Sequence, residues 1–146
     1  MIKRDIGVDI SNVPGGGAAG GLGAGLKALF NAELKPGAQL VLALLDLEQA
    51  IQDADLVLTG EGRLDDQTRY GKAPGAVAAL AKKHGVPCIA IAGMLDNSAY
   101  QLHDAGFSAV FSLCPGPVTL EQALQHSEQY LASSAEQIIR CLQIHH

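Results

Sequence analysis

The 146-residue sequence contains no tryptophan, and only three tyrosines and three phenylalanines. Single-stranded nucleic acids and carbohydrates are commonly bound on aromatic side chains, so such ligands are not expected. Excess positive charge is also missing, because 10 Lys+Arg stand against 15 Asp+Glu and give a formal net charge of -5. We therefore expect neither a nucleic acid nor an anionic membrane surface as a partner.

Cysteine is scarce, and long apolar runs are missing. The three cysteines, Cys88, Cys114 and Cys141, are odd in number and have no metal-ligand spacing. This argues against a disulfide framework and a zinc site, and favours a reducing compartment. No run of about 18 apolar residues occurs, and the first residues lack the pattern of a signal peptide. The expected location is cytoplasmic.

What the sequence does contain is a chain that can bury a core, with 48% hydrophobic and 17% charged residues. Continuous apolar runs predict strands at 56–59, 88–92 and 109–113, of the kind that is covered on both faces. Amphipathic stretches between them predict crossover helices around 77–84 and 98–105. The alternation predicts a single three-layer α/β/α domain over residues 1–146, with a mainly parallel, Rossmann- or flavodoxin-like sheet and right-handed crossovers.

The flanking regions are less regular. Residues 24–31 and 39–53 have the pattern of helices, and 7–13 is the candidate strand before them. A final helix is predicted over 119–142, with Thr119 and Gln122 as a capping box. Because the chain opens without a start signal, we expect it to be a fragment of a larger, two-domain enzyme.

The 17 glycines are concentrated in one segment, since seven of the eleven positions 15–25 are glycine. The spacing Gly15-x-Gly17-x-x-Gly20 satisfies the dinucleotide fingerprint, whose glycines let the backbone approach a phosphate. The surrounding residues fit a dinucleotide-binding site poorly, because Pro14 precedes the glycines and no well-placed acidic residue follows them. Dense glycine and alanine also suit close helix packing, so anion binding and packing both stay open.

A second motif occupies the strand–loop–helix segment 56–75, at the carboxyl end of the first predicted strand, where ligands bind in open parallel sheets. Glu61 and Asp65 could hold a hydrated Mg²⁺ or accept a proton. An anionic oxygen could be held by Thr68, Arg69 and Lys72. The alternative is a solvated loop with local ion pairs.

Lys72 precedes the crossover helix, so its ammonium lies near the positive end of the helix dipole. A bound anion would offset the unfavourable interaction between the Lys72 ammonium and the helix dipole. The phosphate loop of ordinary nucleotide hydrolases is absent, because Asp66 stands where that loop needs glycine. Asp96 and Asn97 follow the second predicted strand and are interpreted as a turn and helix cap. No histidine stands out as catalytic.

These motifs together resemble one family. Residues 14–23, 54–65, 67–68, 71–74 and 85–87 closely resemble the C-terminal part of bacterial type I glycerate kinases, the glycerate 2-kinases. The resemblance implies a cytoplasmic kinase that uses ATP and Mg²⁺ to phosphorylate D-glycerate, mostly to 2-phosphoglycerate. The family's polypeptide is much longer. The resemblance therefore implies that this chain lacks the N-terminal part, carries only part of the active site and is inactive alone.

Phosphoryl transfer needs cations and backbone donors on the phosphates and a Mg²⁺ held by carboxylates. The resemblance therefore implies catalytic roles for Glu61, Asp65 and Lys72, with Glu61 and Asp65 also as metal ligands. It implies substrate or phosphate binding by the remaining motif residues, namely Gly15, Gly16, Gly17, Gly20, Gly21, Arg63, Gln67 and Thr68. Which carboxylate acts as the base stays open at this point.

Two other functions are compatible with the residues. A nicotinamide-dependent oxidoreductase fragment would use the first glycine loop alone. A non-catalytic α/β module would bind no ligand and would associate through apolar surface, giving a homo-oligomer.

Overall fold

A computed structural model describes residues 2–69 and 71–145. Its packing divides the chain into two compact units, Met1–Val41 and Leu42–His146. The single domain over residues 1–146 that the sequence predicts stays a prediction. None of the helices within the described ranges combines the length and apolar content that a membrane span needs.

The first unit is helical. It contains α1 (Ile2–Ile6), α2 (Ala18–Phe30) and the start of α3 (Gly37–Leu44). The strand predicted at 7–13 is wrong, because this segment is irregular with a turn at residues 11–12. Asp9 is the local cause, since its carboxylate accepts a hydrogen bond from the Ser11 N–H (3.1 Å) and closes a turn. Lys3, with Nζ 2.5 Å from Asp9 Oδ2, and Ser11 together lower the pKa of that carboxyl to about 2.

The second unit contains a three-stranded parallel sheet in the order β1 (Val57–Leu64), β2 (Cys88–Leu95), β3 (Ala109–Ser112). Val57 is paired with Cys88 at one end of the first ladder and Leu64 with Leu95 at the other. The parallel α/β arrangement predicted from the sequence is confirmed. The first two strands are longer than predicted, and each extends by several residues at its carboxyl end.

Helices cover both faces of this sheet, as three-layer α/β domains require. Alternate residues of β2 point to opposite sides, so Cys88, Ala90 and Ala92 pack in one core cluster while Ile89 and Ile91 pack in the other. The first cluster includes residues from α5 (Ala73–Lys83) and from the 3-10 helix Asn97–Ala105. The second includes residues from α7 (Ser127–Leu142).

Two long predicted helices are each divided in the structure. The helix predicted over 39–53 is α3 followed by α4 (Leu47–Gln52), separated at Asp46, whose φ of 52° is left-handed. The helix predicted over 119–142 is α6 (Leu120–Gln125) followed by α7, with His126 between them. The capping box at the start of α6 is confirmed, because Thr119 Oγ1 accepts from the Gln122 N–H and the Thr119 N–H donates to Gln122 Oε1.

The contact that positions the functional loop is made at the start of α5. Gly75 approaches the backbone of the preceding loop so closely that an added Cβ would lie 2.0 Å from the carbonyl oxygen of Thr68. Thr68 itself is completely buried. Only glycine allows the first turn of α5 to pack this tightly against the loop that follows β1.

Candidate active site

The candidate site is built at the carboxyl end of β1. Because β1 extends to Leu64, Glu61 and Arg63 lie on the strand rather than in a loop, which corrects the shorter strand predicted at 56–59. Asp65 follows the strand directly, and the 3-10 turn Asp66–Arg69 follows Asp65. This is the edge of a parallel sheet at which ligands bind in related architectures.

Asp65 is the centre of a charged cluster. Its Oδ1 lies 3.3 Å from Lys72 Nζ, and its Oδ2 lies 3.6 Å from Arg63 Nε. The Asp65 side chain is 21% exposed, whereas those of Lys72 and Arg63 are 33% and 54% exposed. The carboxylate is therefore largely covered, while the two cations that it holds are accessible to a ligand.

The turn after Asp65 is fixed by its own hydrogen bonds. Thr68 Oγ1 accepts from the Asp65 N–H (3.3 Å), and the Thr68 N–H donates to the Asp65 carbonyl (3.0 Å). The Gln67 N–H donates to Asp65 Oδ1 (3.1 Å). Since the Thr68 side chain is buried and bonded within the turn, it is placed to shape the loop rather than to contact a ligand. Gln67 contributes its backbone to the cluster.

Lys72 occupies the N-cap position of α5, with extended backbone at φ −72° and ψ 151° and a proline in the first turn. A cation is unfavourable at this end of a helix, because the dipole is positive there. Asp65 is the anion that offsets the conflict, through its contact with Lys72. A negatively charged ligand at the same place would interact with Lys72 and the helix end together.

Arg69, a further candidate for anion binding, does not join the cluster. Its Nη2 donates to the Gln101 carbonyl at 2.5 Å, in the 3-10 helix that follows β2. Its Nε lies 3.3 Å from Asp66 Oδ1. The guanidinium therefore ties two segments of the second unit together.

Asp96, for which the sequence predicts a turn and helix cap, belongs to the cluster as well. Its Oδ1 accepts from the Ser98 N–H (3.1 Å) as an N-cap, while its Oδ2 lies 3.1 Å from Arg63 Nη2. The pKa of the Asp96 carboxyl is lowered, first by its hydrogen bonds from Ser98 and then by Arg63. Its place directly after β2, at the same sheet edge as Asp65, is the sequence signal that could have identified it.

The glycine-rich segment belongs to the first unit. An added Cβ on Gly16 would lie 3.0 Å from the Val13 carbonyl oxygen, and one on Gly23 would lie 3.1 Å from the Gly15 carbonyl oxygen. These two glycines support the packing interpretation. Gly20 and Gly21, with φ of 68° and 94°, interrupt the start of α2 with left-handed backbone and have open space around them. Gly17 is also open, so an accessible backbone surface exists at this turn.

No group of three or more Asp, Glu, His or Cys side chains is arranged to bind a metal ion within residues 2–69 and 71–145. Asp65 has its oxygens directed to Lys72, Arg63 and the Gln67 N–H. It is therefore less suited to metal binding than the sequence motif suggested. Glu61 is the other carboxylate of the motif, and it is partly buried on β1, opposite Ala92 of β2.

Comparisons with known proteins agree on one family. A family model described as the glycerate kinase family matches residues 1–143. The chain is 42% identical to a glycerate kinase of Bacillus subtilis strain 168 and 43% identical to the glycerate 2-kinase of Escherichia coli K12, in each case over 99% of this chain and 38% of the relative. It is 46% identical to a glycerate kinase of Halalkalibacterium halodurans, over 94% of this chain and 36% of that protein.

A solved structure gives the same result. The crystal structure of a protein assigned as glycerate kinase 2 from Salmonella typhimurium LT2 superposes with a TM-score of 0.73 and 43% identity, over 98% of this chain and 36% of that one. The chain thus spans little more than a third of the length of the proteins it matches.

Proposed function

Because the chain belongs to the glycerate kinase family, we propose that it contributes to ATP-dependent phosphorylation of D-glycerate to 2-phosphoglycerate. The structural observation that carries this proposal is the pair of accessible cations, Arg63 and Lys72, held on one carboxylate at the end of β1. The chain spans 36–38% of its relatives. We therefore propose that the complete active site also uses polypeptide outside these 146 residues.

Arg63 and Lys72 bind the negative charges of the reactants. Arginine offers a planar fork that matches phosphate or carboxylate oxygens, and lysine offers a compact point charge. Both side chains are partly exposed, so an anion can reach them without unfolding the loop. Asp65 keeps the two cations at the end of the strand, where they do not have to be reorganised for each reaction cycle.

The described residues fit ATP better than they fit a protein-held metal. Two accessible cations beside a helix N-terminus suit phosphate groups. For Mg²⁺ the fit is poor, because Asp65 is already engaged by cations and no three-group cluster exists among the described residues. ATP, when bound, would supply the phosphoryl group, and Mg²⁺ would supply further positive charge for its phosphates.

Glu61 is our candidate for the proton acceptor. Asp65 has its oxygens committed to Lys72, Arg63 and the Gln67 N–H, whereas Glu61 lies on the adjoining strand and is partly buried. A carboxylate oxygen of Glu61 would take the proton of the glycerate hydroxyl while the hydroxyl oxygen forms a bond to the γ-phosphorus of ATP and the bond from that phosphorus to ADP breaks, with ADP as the leaving group. Within the first unit, taken by itself, the backbone of Gly15, Gly16, Gly17, Gly20 and Gly21 is proposed as an anion contact, to which the open positions contribute most.

We also propose a cytoplasmic location, supported by the free thiols of Cys88, Cys114 and Cys141. Association with a second copy is proposed through exposed apolar side chains such as those of Leu120 and Leu124, which are 76% and 68% exposed.

The proposal is tested in a chimaera. The aligned segment of the Escherichia coli glycerate 2-kinase is replaced by these 146 residues, and ADP release is followed with ATP, Mg²⁺ and D-glycerate. We expect glycerate-dependent activity, and a fall of about a hundredfold in kcat/KM for Lys72→Ala, since lost stabilisation of developing charge has costs of this order. The control is Lys35→Ala, because Lys35 contacts Glu33 outside the candidate site.

A chimaera that folds but releases no ADP with D-glycerate would refute the proposal. So would a Lys72→Ala variant that is as active as Lys35→Ala. Binding of NADH in the absence of Mg²⁺ would instead support the oxidoreductase alternative, which the family comparisons do not favour.

A further inference from the structure

The two carboxylate oxygens of Asp96 contact different residues. Oδ1 accepts hydrogen bonds from the N–H (3.1 Å) and Oγ (3.2 Å) of Ser98, which fixes the start of the 3-10 helix. Oδ2 faces Arg63 Nη2 at 3.1 Å. The Asp96 side chain is therefore fixed by Ser98 through Oδ1, while its Oδ2 pairs with the Arg63 guanidinium.

The backbone of Asp96 is also fixed to the end of β1. Its N–H donates to the Leu64 carbonyl at 3.0 Å, one residue before Asp65. The loop after β2 and the loop after β1 are thus joined by a backbone hydrogen bond and by the Arg63 guanidinium. Arg63 bridges two carboxylates, with Nε at Asp65 and Nη2 at Asp96.

We propose that Asp96 is a positioning residue of the candidate site, which sets the orientation of the Arg63 guanidinium beside Asp65. An arginine held by one carboxylate alone is free to rotate and to leave the strand end. Held by two carboxylates on neighbouring loops, its plane is fixed, and the remaining N–H groups of this 54% exposed side chain stay available to an anion. This inference rests on the proposed function as far as its kinetic consequence is concerned.

Asp96→Asn separates positioning from folding. Asparagine is as good an N-cap as aspartate, so its Oδ1 retains the bond from Ser98 while the charge opposite Arg63 is lost. Asp104→Asn is the matched control, because it removes the same charge from an exposed position of the same 3-10 helix. Ser98→Ala weakens the cap and leaves the carboxylate that faces Arg63.

The first readout uses the 146-residue chain itself. Nuclear magnetic resonance of the ¹⁵N-labelled Arg63 side chain is expected to show slow guanidinium rotation in the parent chain, in Asp104→Asn and in Ser98→Ala. Rotation should become fast in Asp96→Asn. If the Arg63 signals are unchanged in a folded Asp96→Asn chain, the positioning role is wrong.

The second readout is kinetic and uses the chimaera. Asp96→Asn is expected to lower kcat/KM about fivefold, since a partly exposed charge pair makes a modest contribution. The same substitution should have no further effect in an Arg63→Gln background, because its influence passes through Arg63. Equal losses in both backgrounds would overturn the inference. Should Asp96→Asn not fold, Arg63→Lys, which keeps the charge but cannot span both carboxylates, is expected to give a comparable loss.

The two proposals fail in different ways. An unsubstituted chimaera without activity on D-glycerate refutes the proposed function, whereas the Arg63 resonances of the 146-residue chain still decide whether Asp96 positions the guanidinium.

Discussion

The sharpest structural prediction concerns Gly75, at the start of α5. In the folded chain a Cβ at this position would lie 2.0 Å from the Thr68 carbonyl oxygen and 3.1 Å from its carbonyl carbon, where ordinary contacts lie at 3.4–4 Å. Both atoms belong to the backbone of Thr68, which is completely buried. Gly75→Ala therefore cannot be accommodated by rotating a side chain, and either α5 or the turn has to move.

The size of the effect follows from two opposing contributions. Overpacking of a tight site costs about 1–3 kcal/mol, and a contact shorter by more than 1 Å against rigid backbone belongs at the upper end. Alanine favours the helix over glycine by at most about 1 kcal/mol. The net loss is about 2 kcal/mol, which corresponds to a fall of roughly 10 °C in Tm for a unit of this size.

Thermal unfolding of the 146-residue chain, followed by circular dichroism, measures this loss. Gly116→Ala is the matched control, because nothing lies within 4 Å of a Cβ at Gly116 and its φ is not left-handed. We expect the control to change the free energy of unfolding by less than about 0.5 kcal/mol. A Gly75→Ala chain whose Tm lies within about 2 °C of the parent would refute the close approach of α5 to the turn.

Two further predictions concern titratable groups in the second unit. Burial raises the pKa of the Cys88 thiol to about 11, whereas Cys141 is exposed. At pH 8 a thiol reagent should therefore modify Cys141 first and Cys88 only after unfolding. Rapid modification of Cys88 in the folded chain would contradict its buried position. Hydrogen bonds from Lys83 (2.5 Å) and then His84 (2.7 Å) lower the pKa of Glu48 below its usual 4.5. The stability that Glu48 contributes should be present above pH 4.5 and lost as the pH falls through the lowered pKa. Denaturation curves of the parent and Glu48→Gln should therefore converge in acid. A difference in the free energy of unfolding that stays constant down to pH 2 would show that the ionised carboxylate is not responsible.

The sequence was sufficient to predict the sheet, because its strands are continuous apolar runs. The runs at 88–92 and 109–113 lie within or overlap β2 and β3, and the alternation with helices predicted the parallel strand pairing that the structure has. The capping box at Thr119 was also predictable, because it depends only on residues three positions apart. Local patterns of this kind do not require knowledge of distant contacts.

The carboxyl end of β1 could not be predicted in this way. Its residues 60–64, Gly-Glu-Gly-Arg-Leu, have the composition of a loop, and glycine is disfavoured in strands. They are a strand because β2 offers a partner along the whole length, with Arg63 opposite Met94 and Leu64 opposite Leu95. Pairing with a neighbour 31 positions away outweighs the local preference. The break at Asp46, which has a left-handed φ, and the separation at His126 are likewise not indicated by the hydrophobic periodicity.

The longer strand changes what the site can do. In a loop, Glu61 and Arg63 would have to be ordered each time a ligand binds, which weakens binding. On β1 their backbone is held by the ladder to β2, and the turn that follows is fixed by the buried hydroxyl of Thr68. Side chains on a rigid element are positioned more accurately than those on loops. The ion pairs around Asp65 are thus an arrangement that the fold imposes, and the exposed sides of Arg63 and Lys72 are the part that we propose for a ligand.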